Sequence, residues 1–294
     1  MQAPGVYPFV VLTRPKDKNA VLAQRLRQAG MSVLELPALK LVDCEAGPAS
    51  QYAPVRYDLV VLVSGYACRR YLQWQLGLDY PRTDAQATSR QASATASPAR
   101  AAWPPDTLAA TVGQASARIL YDSAVVPGSA IIHPAADQSA DSEHLWQQLL
   151  PRMDRIRRVL IVRGESGREW LADRLEQAGA SVDKLALYRR EAARWSAEEG
   201  VMLHQAMSAP QPCVVLLTSR EGVDAALANG RRLALDGLWA SARFVVVHER
   251  IADYLQSRLP PSGKAALPMV KISQPGDDAL FESILEMASC QASS

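Results

Sequence analysis

The sequence has few cysteines, and their spacing suggests neither a disulfide framework nor a metal site. Cys44, Cys68, Cys213 and Cys290 lie far apart, without a CxxC pair. Secreted disulfide scaffolds and zinc modules both depend on closely spaced cysteines. The sequence therefore predicts reduced and mostly buried thiols, which are typical of a cytoplasmic protein.

The chain also lacks a long hydrophobic run and an excess of one charge. A membrane-spanning helix needs about 20 apolar residues, and the apolar run near the start of the chain is interrupted at Thr13 and Arg14. The formal net charge is +2, from 32 basic and 30 acidic residues, whereas a nucleic-acid binder usually has a strong basic field. We expect a cytoplasmic monomer with no signal peptide, no membrane partner and no nucleic-acid partner.

Common catalytic motifs are missing as well. The sequence contains no GxxxxGK[ST], GxGxxG, HExxH or GxSxG. Nucleotide-phosphate, zinc-protease and serine-hydrolase chemistry therefore lack their usual residues. Gly164 and Gly167, three residues apart after an apolar run, are interpreted as part of a turn and not as a dinucleotide-binding loop.

What the chain does contain is a long internal repeat. Residues 10–36 align without a gap on residues 159–185, and the identical positions include Arg14 with Arg163 and Gly30 with Gly179. In both copies a short apolar strand is followed by a polar turn, an amphipathic helix, a glycine and a second strand. Each copy therefore predicts one β-α-β unit.

Three weaker repeats complete two sets of four β-α units. With 294 residues, of which 48% are hydrophobic, the chain is long enough for two domains with separate cores. The alternation of strands and helices predicts an α/β protein with two doubly wound parallel-sheet domains of similar topology. One half holds an extra segment, 82–102, rich in Ala, Ser, Thr and Gln, which is interpreted as a flexible low-complexity insertion.

Small hydroxyl groups and arginines recur where the predicted strands end. A helix N-terminus offers free N–H groups and a partial positive charge, and an adjacent hydroxyl or arginine completes a site for a carboxylate or phosphate. Serine and threonine are also ordinary N-caps, so each residue taken alone has a structural alternative. In this architecture such residues are expected to line a cleft between the domains. The candidate substrate-binding residues are Thr13, Arg14, Ser64, Ser116, Arg163, Thr218, Ser219 and His248.

Tyr188 is the candidate proton donor. It follows the predicted strand 182–187, and the equivalent residue of the first repeat copy is Leu39, so the two copies differ there. A tyrosine with an ordinary pKa near 10 keeps its proton at neutral pH and can donate it to a leaving oxygen. Packing against an interdomain linker is the structural alternative, because tyrosine is commonly half-buried.

In these residues the chain resembles the uroporphyrinogen-III synthase family, whose members close a linear tetrapyrrole into a ring. The resemblance covers nearly all of the chain outside 82–102 and rests on the order and spacing of short segments. These are LTRP at 12–15, AG at 29–30, LP at 36–37, YD at 57–58 before Ser64, VG at 112–113, SA at 116–117, VLIVRG at 159–164, RE at 168–169, YRR at 188–190 and LTS at 217–219.

The resemblance implies two α/β domains joined by a two-stranded linker, one formed by residues 1–40 and 191–294 and the other by residues 41–190. The repeats alone would place one boundary near residue 152. It also implies that the substrate is a linear tetrapyrrole, hydroxymethylbilane, which is closed to uroporphyrinogen III with inversion of ring D and loss of water, without a metal or organic cofactor. Tyr188 matches the family's functionally important tyrosine, and Ser64, Ser116 and Ser219 match positions that line the cleft.

The chain departs from the family pattern at two positions. Ile251 stands where the family usually has a threonine, and Val63 stands where a threonine is common before Ser64. The contact expected from the residue at 251 would then pass to His248 or Arg250.

Two other functions remain open. A non-catalytic two-lobed module that senses an anionic small molecule would use the same strand-end sites, but it would bind its ligand without converting it. A nucleotide-sugar transferase also has two doubly wound domains, although the sequence lacks an acidic metal-binding signature and a basic diphosphate loop.

Overall fold

The computed structural model describes residues 8–78, 102–135, 137–259 and 268–289. The insertion predicted at 82–102 lies outside the described residues, except for Ala102, and so does Cys290. The chain divides into two compact units: a first unit of Met1–Lys40 with Glu191–Ser294, and a second unit of Leu41–Arg190.

Strands and helices alternate through most of the described chain. The strands are β1 (Phe9–Leu12), β2 (Ser32–Glu35), β3 (Leu39–Asp43), β4 (Leu59–Leu62), β5 (Leu108–Thr111), β6 (Ile131–Ile132), β7 (Arg158–Gly164), β8 (Ser181–Ala192), β9 (Cys213–Leu217), β10 (Arg243–Val246) and β11 (Val270–Ile272). The helices are α1 (Lys16–Gln28), α2 (Gly65–Leu76), α3 (Gln114–Ser123), α4 (Ser142–Leu149), α5 (Trp170–Gln177), α6 (Ala197–Ser208), α7 (Arg220–Arg232), α8 (Glu249–Arg258) and α9 (Asp277–Ser289).

The first unit contains a parallel sheet with the strand order β11-β10-β9-β1-β2. Val10 of β1 lies opposite Val33 of β2 on one side and Val214 of β9 on the other. All of β9 is buried, as expected for a central strand that helices cover on both faces.

The second unit contains a sheet with the strand order β3-β8-β7-β4-β5-β6, in which the neighbours from β8 to β6 are parallel. The segments 37–41 and 185–189, expected from the family resemblance to cross between domains, fall largely in β3 and β8, which are neighbours in this sheet. The N–H of Cys44, just after β3, donates to the carbonyl oxygen of Leu187 at 2.9 Å.

The two sheets share one topology once the chain order of the second is permuted. In the first sheet, β1 and β2 lie on one side and β9, β10 and β11 continue on the other. In the second sheet, β7 and β8 take the place of β1 and β2, and β4, β5 and β6 take the place of β9, β10 and β11. The two copies of the sequence repeat therefore occupy equivalent positions, and both helices end before a glycine with a positive φ, Gly30 at 83° and Gly179 at 89°.

Successive residues of a strand point to opposite faces of the sheet. In both sheets the residues on each face are buried in a separate hydrophobic cluster, so helices cover both faces. In β1, Val11 packs in one hydrophobic cluster, whereas Val10 and Leu12 pack in another. In β4, Val60 and Leu62 pack in one hydrophobic cluster, whereas Leu59 and Val61 pack in another. The predicted α/β class with two doubly wound parallel sheets is thereby confirmed.

Helix α6 was not expected from the sequence, and β5 had a weak signal. Helix α6 begins after Ser196, whose side chain accepts from the N–H of Glu199 while the Glu199 carboxylate accepts from the N–H of Ser196. This is the capping box signature S-x-x-E. Strand β5 has the sequence LAAT, whose alanines give only a weak strand signal.

No helix in the described ranges is long and apolar enough to cross a membrane.

Candidate functional site

The strand order places one potential binding edge in each unit. A ligand of a doubly wound sheet binds at the carboxyl ends of the two strands between which the strand order reverses. In the second unit these are β4 and β7, which lead to Ser64 and Arg163. In the first unit they are β1 and β9, which lead to Thr13, Arg14 and Ser219.

Tyr188 and Ser64 form the centre of the site in the second unit. The two hydroxyl oxygens lie 3.0 Å apart, within hydrogen-bond distance, and either atom can be the donor. Ser64 also caps helix α2, because its Oγ accepts from the N–H of Ala67 at 3.1 Å. The Tyr188 hydroxyl is therefore connected, through one serine, to the positive end of a helix.

The ring of Tyr188 is closely surrounded. Tyr188 is 5% exposed and lies opposite Gly164, next to a bulge in the β7–β8 pairing. A Cβ atom added to Gly164 would lie 2.9 Å from Cε2 of Tyr188, so only glycine leaves room for the ring. The ring of Tyr66 contacts it edge-on, with 4.9 Å between the centroids and 64° between the planes.

Ser116 lies near this pair, in the first turn of α3. A Cβ atom on Gly65 would be 3.9 Å from the Oγ of Ser116, so Gly65, at the start of α2, lies close to this hydroxyl. The N-terminal turns of α2 and α3 therefore both reach the neighbourhood of Tyr188. Backbone N–H groups at these two helix starts can receive an anion there.

The Arg163 side chain is fixed by hydrogen bonds to neighbouring residues of the second unit. Its side chain is buried, its Nη1 donates to Oε1 of Glu169 at 2.5 Å, and its Nε donates to the carbonyl oxygen of Gly164 at 3.2 Å. Lys184 forms a second ion pair with Glu169 at 2.7 Å. Hydrogen bonds from Lys184 and then Arg163 lower the pKa of the Glu169 carboxyl. Two cations thus share the Glu169 carboxylate, and Glu176 adds a second negative charge near Lys184.

In the first unit, Thr13 and Arg14 have internal partners. The Thr13 hydroxyl is buried and donates to the carbonyl oxygen of Leu216 at 2.5 Å. Nη1 of Arg14 pairs with Asp277 at 2.9 Å, and its Nε donates to Asn19 at 3.3 Å. Both side chains stabilise contacts of β1 with neighbouring elements.

The remaining candidates lie at helix starts of the first unit. Ser219 caps α7 by accepting from the N–H of Gly222 at 3.0 Å, and Thr218 before it is half-buried. His248 is exposed and caps α8, since its Nδ1 accepts from the N–H of Arg250 at 3.1 Å. Capping, the structural alternative, is thus confirmed for Ser64, Ser219 and His248. Ile251 is buried in the core of the unit and supplies no polar group.

Tyr66, Gly164 and Asp43 belong to the site of the second unit but could not be singled out in the sequence. Gly164 was interpreted only as a turn residue. A cavity of about 330 Å³ lies beside Asp43 and is lined by Cys44, Arg70, Trp74 and Leu187, among others. Within the ranges that the structure describes, no three His, Cys, Asp or Glu side chains are grouped so as to hold a metal ion.

Known proteins resemble this chain in sequence and in fold. A family model described as uroporphyrinogen-III synthase HemD matches residues 20–261 of the chain. The uroporphyrinogen-III synthase of Escherichia coli (strain K12) is 27% identical over 247 residues, which cover 83% of this chain and 88% of that protein. The crystal structure of uroporphyrinogen-III synthetase from Helicobacter pylori 26695 covers 95% of this chain and 99% of its own, with a TM-score of 0.55 and 12% identity. The last likeness shows the fold alone.

Proposed function

This chain belongs to the uroporphyrinogen-III synthase family, and from that premise we propose which of its residues perform the reaction. The enzyme closes hydroxymethylbilane to uroporphyrinogen III, with inversion of ring D and loss of water. Closure begins when the hydroxyl group of the substrate leaves and an electrophilic azafulvene forms. The last pyrrole then attacks through its substituted carbon, and the spiro intermediate that results breaks and recloses with ring D inverted.

Tyr188 is the proton donor to the leaving hydroxyl group. As the C–O bond breaks, the phenol proton passes to the leaving oxygen, water departs, and a phenolate remains on Tyr188. The Oγ of Ser64 lies 3.0 Å from that oxygen, and a Ser64 hydroxyl that donates to it stabilises the phenolate. The start of helix α2, which Ser64 caps, adds a favourable partial charge. This Tyr188–Ser64 contact is the observation that carries the proposal.

The carboxylates of the substrate are bound at the strand ends. In the second unit, the N-terminal turns of α2 and α3 and the hydroxyl of Ser116 offer donors. Arg163, which is paired with Glu169, adds a buried cation at the same edge. In the first unit, the N-terminus of α7 after Thr218 and Ser219 offers a second set of donors, with His248 at the start of α8.

Arg14 and Thr13 complete this assignment at the end of β1. Thr13 holds β1 against β9 through its bond to Leu216. Arg14 places a positive charge beside the start of α1 while it pairs with Asp277. We assign Thr13 to substrate binding through the shape of this edge, since its hydroxyl already has a partner in the protein. Arg14 is assigned to it through its charge, and its Nη2 is buried without a hydrogen-bond partner.

The two units would be the functional domains, with boundaries at 1–40 plus 191–294 and 41–190. We also propose that the chain acts in the cytoplasm as a monomer. Cys44, Cys68 and Cys213 are free thiols, which fits a reducing compartment. Gel filtration coupled to light scattering measures the oligomeric state directly.

The decisive experiment is product analysis with Tyr188→Phe. Freshly generated hydroxymethylbilane is added to wild-type or variant protein, the products are oxidised, and type I and type III uroporphyrins are separated. Uncatalysed closure gives type I. We expect the wild type to give type III in proportion to enzyme, and Tyr188→Phe to lower kcat by about 10²-fold, the usual contribution of a general acid.

The control is Tyr254→Phe, which removes a tyrosine hydroxyl from the first unit and should leave turnover unchanged. If folded Tyr188→Phe keeps the wild-type rate, Tyr188 is not the donor. If the wild type gives only type I, the chain does not catalyse the reaction, and binding of the substrate without turnover would point to a sensor module.

A further inference from the structure

Tyr66 links Tyr188 to a second group of polar side chains. Its ring contacts the ring of Tyr188 edge-on, with 4.9 Å between the centroids. Its hydroxyl donates to Oδ1 of Asp43 at 2.8 Å. The hydroxyl of Tyr66 is therefore fixed by the Asp43 carboxylate, while its ring contacts the ring of Tyr188, the proposed proton donor.

Asp43 is itself held in place. The Nε of Arg70 lies 3.0 Å from the same Oδ1 and forms an ion pair with it, without the geometry of a hydrogen bond. Tyr66 and Arg70 are four residues apart in α2, so they lie on one face of that helix and enclose the carboxylate from two sides. Hydrogen bonds to an ionised group are stronger than those between neutral groups. The position of the Tyr66 ring is thus tied to the end of β3.

The Tyr188 ring is part of the buried core of the second unit, and Tyr66 is one of the side chains that border it. Gly164 lies against one part of it, and Ser64 holds only its hydroxyl oxygen. If the Tyr66 ring were absent, the Tyr188 ring would gain room to rotate away from Ser64. A proton donor that moves by about 1 Å loses much of its effect, because proton transfer requires close approach to the leaving oxygen.

We propose that Tyr66 is a positioning residue for Tyr188, and that Asp43, held by Arg70, fixes Tyr66. This inference rests on the proposed function, since it assigns Tyr66 a role only through the hydroxyl of Tyr188. Neither Tyr66 nor Asp43 needs to contact the substrate. Their loss is therefore expected to lower kcat and leave KM unchanged.

The test is a set of variants assayed for kcat, KM and the ratio of type III to type I product. Tyr66→Phe keeps the ring and loses the bond to Asp43, so kcat should fall by about 3- to 10-fold, the size of one hydrogen bond. Tyr66→Leu removes the ring, and kcat should fall by about 10²-fold. Asp43→Asn keeps an acceptor for the Tyr66 hydroxyl and should retain more activity than Asp43→Ala.

A double-mutant cycle separates positioning from general damage. In the Tyr188→Phe background, Tyr66→Leu should lower kcat no further, because the hydroxyl that it positions is already gone. The matched control is Tyr254→Phe, which breaks an equivalent bond to Asp224, of 2.7 Å, in the first unit. It should leave kcat unchanged.

The outcomes also distinguish this inference from the proposed function. If Tyr188→Phe is impaired but the Tyr66 variants match the wild type, the positioning role is wrong and the donor role stands. If the losses from Tyr66→Leu and Tyr188→Phe multiply, Tyr66 acts independently, and the inference is also wrong. If Tyr188→Phe is fully active, both fail.

Discussion

Replacing Gly164 by alanine should disable the enzyme without unfolding it. The added Cβ would lie 2.9 Å from Cε2 and 3.1 Å from Cζ of Tyr188. Carbon atoms pack best at about 3.5 to 4.0 Å, so the ring has to move by roughly 0.6 to 1.1 Å. The Tyr188–Ser64 distance is already 3.0 Å, and a hydroxyl–hydroxyl hydrogen bond extends only to about 3.0 Å. A shift of this size away from Ser64 breaks the contact.

The expected losses follow from that displacement. A misplacement of about 1 Å lowers kcat by on the order of 10²-fold. Overpacking costs roughly 1 to 3 kcal/mol of the free energy of unfolding, which is less than the roughly 5 to 15 kcal/mol of a typical domain. Gly164→Ala should therefore remain folded at room temperature while it turns over slowly.

The assay compares product isomers, kcat and urea unfolding for Gly164→Ala, Gly128→Ala and the wild type. Gly128 is the matched control, because it also faces a tyrosine ring in the second unit, but its Cβ would lie at an ordinary 3.7 Å from Cε1 of Tyr121. Its replacement should leave kcat unchanged. A folded Gly164→Ala protein with wild-type kcat would refute the argument that the ring position of Tyr188 controls the reaction.

Two further predictions concern stability. Asn229→Ala should destabilise the first unit by roughly 1 to 3 kcal/mol in urea unfolding, because the buried Asn229 accepts from the N–H of Trp195 at 3.0 Å, and its loss leaves that N–H without a partner. A loss below about 0.5 kcal/mol would contradict this. Burial, followed by the bond to Asp183, raises the pKa of Tyr57 to about 12. A raised folded-state pKa gives stability that is complete below the unfolded value of 10.0 and is lost as the pH rises towards 12, so Tyr57→Phe should flatten the decline of unfolding free energy in that window.

The secondary structure was largely predictable because its signals are local. The helix of each repeat copy has apolar residues four apart, Leu22 with Leu26 and Leu171 with Leu175, and these side chains are buried. Element ends carry weaker signals: α7 extends to Arg232, because polar residues at its end still continue the helix. Helix α6 carries a capping box at Ser196 that could have predicted its start.

The candidate site was predictable only in part. Ser64, Ser116 and Tyr188 were identified as separate strand-end or helix-start residues, and the structure brings them together in one unit. Thr13 and Arg14 were identified by the same signal, yet the Thr13 hydroxyl bonds to Leu216 and Nη1 of Arg14 pairs with Asp277. A residue pattern indicates which groups follow a strand, but it does not indicate which partner each group finds.

By itself, the sequence determined the α/β class, the two sets of β-α units and the family, because periodicity and segment order are properties of the chain. Only the tertiary structure decided the contacts of Tyr188. Ser64 and Tyr188 are 124 residues apart in the sequence. They can meet because only one strand, β7, separates β8, which carries Tyr188, from β4, which leads to Ser64. The register of β7 with β8, shifted by the bulge before Gly164, then places the Tyr188 ring against a glycine. Such contacts depend on strand order and register, which residues far apart in the sequence determine jointly.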